Sequence, residues 1–157
     1  NGFGRIGKLV LRAFLEKKIK NAHIIGINEL GSLDSSHHLM QYDSNHGILP
    51  VKIYKTKNGL KYNNKSITFL AEKDPINLPW KKMKVDIVLE CSGVFASKDK
   101  ASAHLKAGAK KVLISAPANN VDATIVQGVN DNLLQKKPNI YMLAKNNFHY
   151  KMKDLNY

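Results

Sequence analysis

The first seven residues, Asn1-Gly2-Phe3-Gly4-Arg5-Ile6-Gly7, spell G-x-G-x-x-G and run straight into an amphipathic stretch. Glycines at these spacings suit a turn between a strand and a helix. Gly2 makes the tight turn, Gly4 lets the backbone lie against a pyrophosphate, and Gly7 lets helix and strand pack closely. The helix that follows would aim its first N–H groups and the positive end of its dipole at the phosphates. The sequence opens inside this loop, so the strand that should precede it is expected to be missing from the sheet.

The segments that follow alternate helical and strand patterns. Apolar residues at Ile6, Val10, Ala13 and Phe14, flanked by Leu9 and Leu11, form the stripe of a helix lying on a sheet. Ala22–Ile27 reads as a short strand whose near-continuous apolar run fits a parallel pairing. It ends at Asn28-Glu29, with Glu29 lying 22 residues beyond Gly7. A carboxylate at that spacing accepts hydrogen bonds from adenosine ribose hydroxyls and repels a 2′-phosphate, so it favours NAD over NADP.

Asp34-Ser35-Ser36 offers N-cap chemistry for a short helix reaching Tyr42. His37 and His38 are adjacent and lack other ligands at metal spacing, so no metal is expected. From Val51 to Leu70 the pattern becomes short strands with turn signals at Lys57-Asn58-Gly59 and Asn63-Asn64-Lys65, an antiparallel insertion. Further strands are expected at Val85–Glu90, Lys111–Ile114, Thr124–Val126 and Asn139–Leu143. A helix is expected between Ser97 as cap and Gly108 as stop. Two of these strands end in small residues, Cys91-Ser92-Gly93 and Ser115-Ala116-Pro117, where a ligand can approach the backbone. The fold class is α/β, a doubly wound parallel sheet (Rossmann-like) with a small antiparallel insertion.

The net charge of +13 raises the question of a nucleic-acid partner. Only Arg5 and Arg12 of the 25 basic residues are arginine, and the lysines are spread along the chain. A nucleic-acid reader gathers its charge on one face and uses arginine forks, so a solvated lysine surface is the expected reading. A single cysteine, Cys91, excludes an internal disulfide and a thiolate-clustered metal site, and fits a reducing, cytoplasmic setting. No run approaches the roughly 20 apolar residues of a membrane span.

Taken together, NGFGRIG, YDSNHG, EKDP-INLPW, ECSGVF, KASAHLKAGAKKVLISAP and QGVN resemble, in order, the coenzyme-binding half of phosphorylating glyceraldehyde-3-phosphate dehydrogenase. The resemblance runs from Asn1 to about Asn139 and implies NAD as cofactor and a homotetramer for the complete family enzyme. It implies that the Arg5 and Ile6 backbone, within the Gly2, Gly4 and Gly7 loop, holds the pyrophosphate, with the Ile6 side chain against the nicotinamide. Glu29 stands where the family usually has Asp on the adenosine ribose. With Leu30, Asn-Glu-Leu resembles more the erythrose-4-phosphate dehydrogenase branch and some bacterial relatives. Lys73 matches a basic position near the adenine, Ser92, Gly93 and Phe95 a strand-end segment beside the cofactor, and Ser115 a residue near the nicotinamide.

The family's nucleophile is a cysteine in Ser-Cys-Thr-Thr-Asn at a helix start, where the dipole lowers the thiol pKa. Cys91 lies instead in Glu-Cys-Ser-Gly and is expected to be a buried small side chain. Residues 141–157 contain no cysteine and are expected to form a divergent tail, after a dinucleotide-binding domain over 1–140. On this reading no catalytic residue is assigned, and the chain alone is expected to be inactive and not to tetramerise.

Overall fold

The computed structural model describes residues 1–136 and 138–144, and divides into two compact units, Asn1–Leu78 and Pro79 onward. Of the divergent tail expected over residues 141–157, residues 141–144 lie in the last strand, Ile140–Ala144, and those from 145 lie outside the described residues.

The first unit opens with the glycine loop and helix α1, Arg5–Glu16. Strand β1 (Gly26–Asn28) follows, then α2 (Leu33–Gln41), a small β2–β3 pair (Tyr42–Asp43 and Gly47–Ile48), β4 (Tyr54–Thr56), β5 (Gly59–Tyr62) and β6 (Lys65–Leu70). A 3-10 turn at Pro75–Asn77 closes it. The sheet order is β1-β6-β5-β4. The antiparallel insertion therefore exists as β4–β5–β6, but its last strand is also the parallel neighbour of β1, with Ile27 opposite Phe69. Asn63 and Asn64 join β5 to β6 with φ of 41° and 62°. Two consecutive positive φ values make a tight hairpin turn, which asparagine tolerates better than most residues that carry a side chain.

Three sequence expectations need correction here. The apolar stripe of α1 marks its buried face only in part: Leu11 and Leu15 join the core and Phe14 packs against it, whereas Ile6 is 48% exposed and Ala13 is exposed. Arg12 is buried instead, because its guanidinium donates to the Met40 and His46 carbonyls and pairs with Glu16. Strand β1 is shorter than the run from Ala22, since ladder pairing with β6 spans only Gly26–Asn28. The cap of α2 is Ser32, whose hydroxyl accepts the Ser35 N–H at 3.1 Å; Asp34 lies within the first turn. The core of this unit gathers Phe3, Leu11, Leu15, Ile27, Met40, Leu60 and Ile67 among others. Each such side chain contributes about 1.5–3 kcal/mol by leaving water.

The second unit holds β7 (Ile87–Glu90), α3 (Lys98–Lys106), β8 (Lys111–Ile114), β9 (Ala123–Val126), a 3-10 segment (Asp131–Lys136) and β10 (Ile140–Ala144). All pairings in its sheet, β7-β8-β10-β9, are parallel. Ser97 caps α3 by accepting the Lys100 N–H, and the chain leaves the helix through Gly108 at φ +103°. A Cβ on Gly108 would stand 2.4 Å from that of Lys81, so glycine is required there twice over. Ala101 of α3 packs on Val112, Ile114 and Ile140 of the sheet. Together the parallel sheet, the connecting helix and the small antiparallel hairpins match the expected Rossmann-like α/β class.

Asp122 fastens the start of β10. It accepts the Asn139 and Ile140 N–H groups at 3.0 and 2.9 Å and meets Lys98 Nζ at 2.7 Å. Burial raises its pKa, but the Lys98 contact and the two N–H donors outweigh that and hold it below the usual range of an aspartate. A depressed carboxylate contributes stability that is full above its unfolded pKa and lost as pH falls through the folded one. The melting temperature should therefore drop on acidification below about pH 4. Asp122→Asn should flatten that acid slope and cost about 1–2 kcal/mol at neutral pH. Thermal melts across pH 3–7 measure both, and an unchanged acid slope would contradict the role given to Asp122.

Candidate functional site

The expected coenzyme residues fall on both units. In the first, Gly2 has φ +82° and donates its N–H to the Asn28 carbonyl at 2.9 Å, tying the loop to the end of β1. Phe3 is buried beneath the loop, whereas Gly4, Arg5 and Ile6 are exposed. Gly4 is the N-cap of α1 and makes no side-chain cap, and the first turn holds no acidic residue. Among the described residues no side chain caps the start of this helix, which suits it to an anionic group such as a pyrophosphate. Gly7 could not carry a side chain, because a Cβ would lie 2.3 Å from the Gly2 carbonyl oxygen.

Glu29 reaches back to this loop. Its Oε2 accepts the Phe3 N–H at 2.6 Å and its Oε1 accepts the Gly31 N–H at 3.0 Å. Burial raises its pKa, but the N–H groups of Gly31, Phe3 and Leu30 and the charge of Lys8 bring the net shift downward. The carboxylate is thus held ionised, and two oxygens carry about four acceptor positions, so capacity is left for a diol. Lys8 folds over the Phe3 ring, 4.9 Å from its centroid, and donates to the Phe3 carbonyl. Leu30 is exposed beside Glu29.

Lys73 is exposed, and its place is set by a residue that sequence reasoning passed over. The buried Asn28 side chain donates to the Glu72 carbonyl at 2.8 Å and accepts the Glu72 N–H at 2.8 Å. The same amide donates to Asn1 Oδ1 at 2.7 Å. Asn28 therefore couples the glycine loop to the segment carrying Lys73. The available signal was a polar residue at the last position of an apolar strand.

In the second unit Ser92 and Gly93 are exposed at the end of β7, with Gly93 at φ +75° and open space where a Cβ would be. Ser115 follows β8 and is half-buried; its N–H and Oγ both donate to the Glu90 carbonyl, at 2.9 and 3.1 Å. Phe95 is half-buried and meets the His104 ring edge-on at 6.1 Å. Ser92, Gly93, Phe95 and Ser115 thus gather around the end of one strand pair, while the glycine loop, Glu29 and Lys73 gather in the first unit. Cys91 is half-buried, not buried as expected, because it leaves the strand at its exposed end. Glu90, His104 and Trp80, none singled out from the sequence, are the buried polar centre of this unit. Among the described residues no helix is long and apolar enough to cross a membrane, and no cluster of three metal-ligating side chains occurs.

The family described as "Glyceraldehyde 3-phosphate dehydrogenase, NAD binding domain" matches residues 1–98. The plasmid-encoded glyceraldehyde-3-phosphate dehydrogenase of Cupriavidus necator is 50% identical over 137 residues, 86% of this chain and 41% of the relative. That of Zymomonas mobilis is 51% identical over 131 residues, 83% and 39% of the two chains. The Thermotoga maritima enzyme is 45% identical over 144 residues, 92% and 43%. The chain therefore spans about two-fifths of the length of the relatives it matches.

Proposed function

This chain belongs to the NAD-binding domain family of glyceraldehyde-3-phosphate dehydrogenase, and from that membership we propose that residues 1–140 form the coenzyme-holding portion of an NAD-dependent phosphorylating aldehyde dehydrogenase. The complete enzyme would oxidise glyceraldehyde 3-phosphate to 1,3-bisphosphoglycerate, in the cytoplasm and as a homotetramer. When bound, the nicotinamide supplies the hydride acceptor. The residues of this chain bind and orient it. The N–H groups after Gly4 take the pyrophosphate, Glu29 the adenosine ribose, and Lys73 the adenine end. Ile6 in the first unit, and Ser92, Gly93, Phe95 and Ser115 in the second, are the further positions that the family resemblance assigns to the coenzyme.

The observation that carries this reading is the Glu29 carboxylate held against the glycine loop at Phe3, beside a helix start that no side chain caps. That geometry leaves acceptors for a diol and donors for a diphosphate within one unit. Cys91 lies at a strand end rather than a helix start, so it is not assigned the nucleophile's part. Titration calorimetry tests the reading: the folded chain should bind NAD saturably, with NADP at least tenfold weaker, and should turn over no glyceraldehyde 3-phosphate by itself. A folded chain that takes up neither nucleotide would refute it.

A further inference from the structure

We propose that Trp80, His104 and Glu90 form a buried hydrogen-bond relay that positions Ser92 and Ser115, and with them the coenzyme-facing end of the β7–β8 pair. The purpose assigned to it rests on the reading above that these serines border the dinucleotide.

The relay lies entirely within the second unit. Glu90 and His104 are fully buried and Trp80 is 3% exposed. The Trp80 indole N–H donates to His104 Nδ1 at 3.0 Å. An indole can only donate, so Nδ1 is the ring nitrogen without a proton. The other nitrogen, Nε2, then carries the proton and donates it to Glu90 Oε2 at 2.9 Å. Glu90 Oε1 in turn accepts both the N–H of Ser92, at 2.8 Å, and its hydroxyl. Ser92 Oγ accepts the Val94 N–H at 3.1 Å, which closes the turn around Gly93. On the main-chain side the Glu90 carbonyl takes both donors of Ser115. One residue therefore holds both serines, and its side chain has a single direction of hydrogen bonding from indole to carboxylate.

Stability alone is a poor reason for this arrangement, because a buried polar cluster gains little over apolar residues of the same volume. What it does supply is a unique orientation, since every member must point one way for all to be satisfied. Glu90, His104 and Trp80 are positioning residues. They touch the serines or each other, and they lie beneath the surface those serines present.

The polarity of the relay makes it testable by paired substitutions in the 157-residue chain. In His104→Gln the amide oxygen can accept the indole N–H and the amide nitrogen can donate to Glu90, so the relay keeps its direction. In His104→Leu and Trp80→Phe it is cut. Amide hydrogen exchange without coenzyme should accelerate at least tenfold at Ser92, Val94 and Ser115 in the two cut variants. It should stay near parental in His104→Gln, with Val112 and Ile140 unchanged throughout. Calorimetry should show NAD binding weakened about three- to tenfold in Trp80→Phe and restored in His104→Gln. Parental exchange at Ser92 and Ser115 in Trp80→Phe would overturn the relay whatever the coenzyme does. Acceleration at Val112 and Ile140 as well would also overturn it, by reducing the cluster to general packing. Local acceleration in a series whose parent binds no NAD would leave the relay standing and overturn the coenzyme reading instead.

Discussion

Gly7→Ala should weaken NAD binding about 10- to 100-fold and lower the melting temperature of the chain. The added methyl would begin 2.3 Å from the Gly2 carbonyl oxygen and 3.3 Å from its carbon, both main-chain atoms. The loop has little room to retreat, because the Gly2 N–H is bonded to Asn28 and the Phe3 N–H to Glu29. Overpacking of this kind costs about 1–3 kcal/mol, and about 1.4 kcal/mol is a tenfold change in affinity. Gly4→Ala separates the two consequences. No atom lies within 4 Å of a Cβ at Gly4, so that variant should melt like the parent. It should still bind NAD more weakly if the pyrophosphate runs over Gly4. Calorimetry and thermal melts on both variants decide the matter; parental NAD affinity in Gly4→Ala would move the pyrophosphate elsewhere.

Glu29→Ala should reduce NAD affinity by about 10- to 100-fold and abolish the discrimination against NADP. Hydrogen bonds to a charged group are worth about 1.5–3 kcal/mol, and this carboxylate braces the loop and, on the proposed reading, also takes the ribose. Its removal leaves the Phe3 and Gly31 N–H groups without their present acceptor. NADP should lose less than NAD, because the same substitution removes a negative charge from the path of the 2′-phosphate. The ratio of the two dissociation constants is therefore the informative number. If Glu29→Ala still prefers NAD as the parent does, the carboxylate is a loop brace and not the ribose ligand.

How far these features could be read beforehand follows from the range of the interactions behind them. The limits of β8, the Ser97 cap and the Gly108 exit depend on neighbours a few residues away, and local pattern found them. The Asn63-Asn64 turn is of the same kind. The glycine loop was legible because three spacings and a later acid had to agree. Arg12 was not legible: it is buried because carbonyls 28 and 34 residues away receive its guanidinium. A stripe of apolar letters carries no record of such partners. Trp80, His104 and Glu90 hid for the same reason, being polar letters that look solvated until the fold brings them within 3.0 Å of one another. Glu29 was expected to face a ligand, but its grip on the Phe3 N–H was not, because that contact spans 26 residues.

Asn28 has a consequence for how this unit tolerates change. The paired register of β1 and β6 ends at Asn28 opposite Leu70, where the Glu29 N–H still donates to the Leu70 carbonyl. The Asn28 amide then meets the Glu72 peptide with one donor and one acceptor, as another strand's backbone would. A side chain here impersonates a peptide group and adds one more rung after the ladder has ended. The chain beyond Glu72 is released from strand geometry without fraying the strands behind it. Insertions after Lys73 should be absorbed there as slack, whereas a change at Asn28 itself would release both the Glu72 peptide and Asn1 from the end of β1.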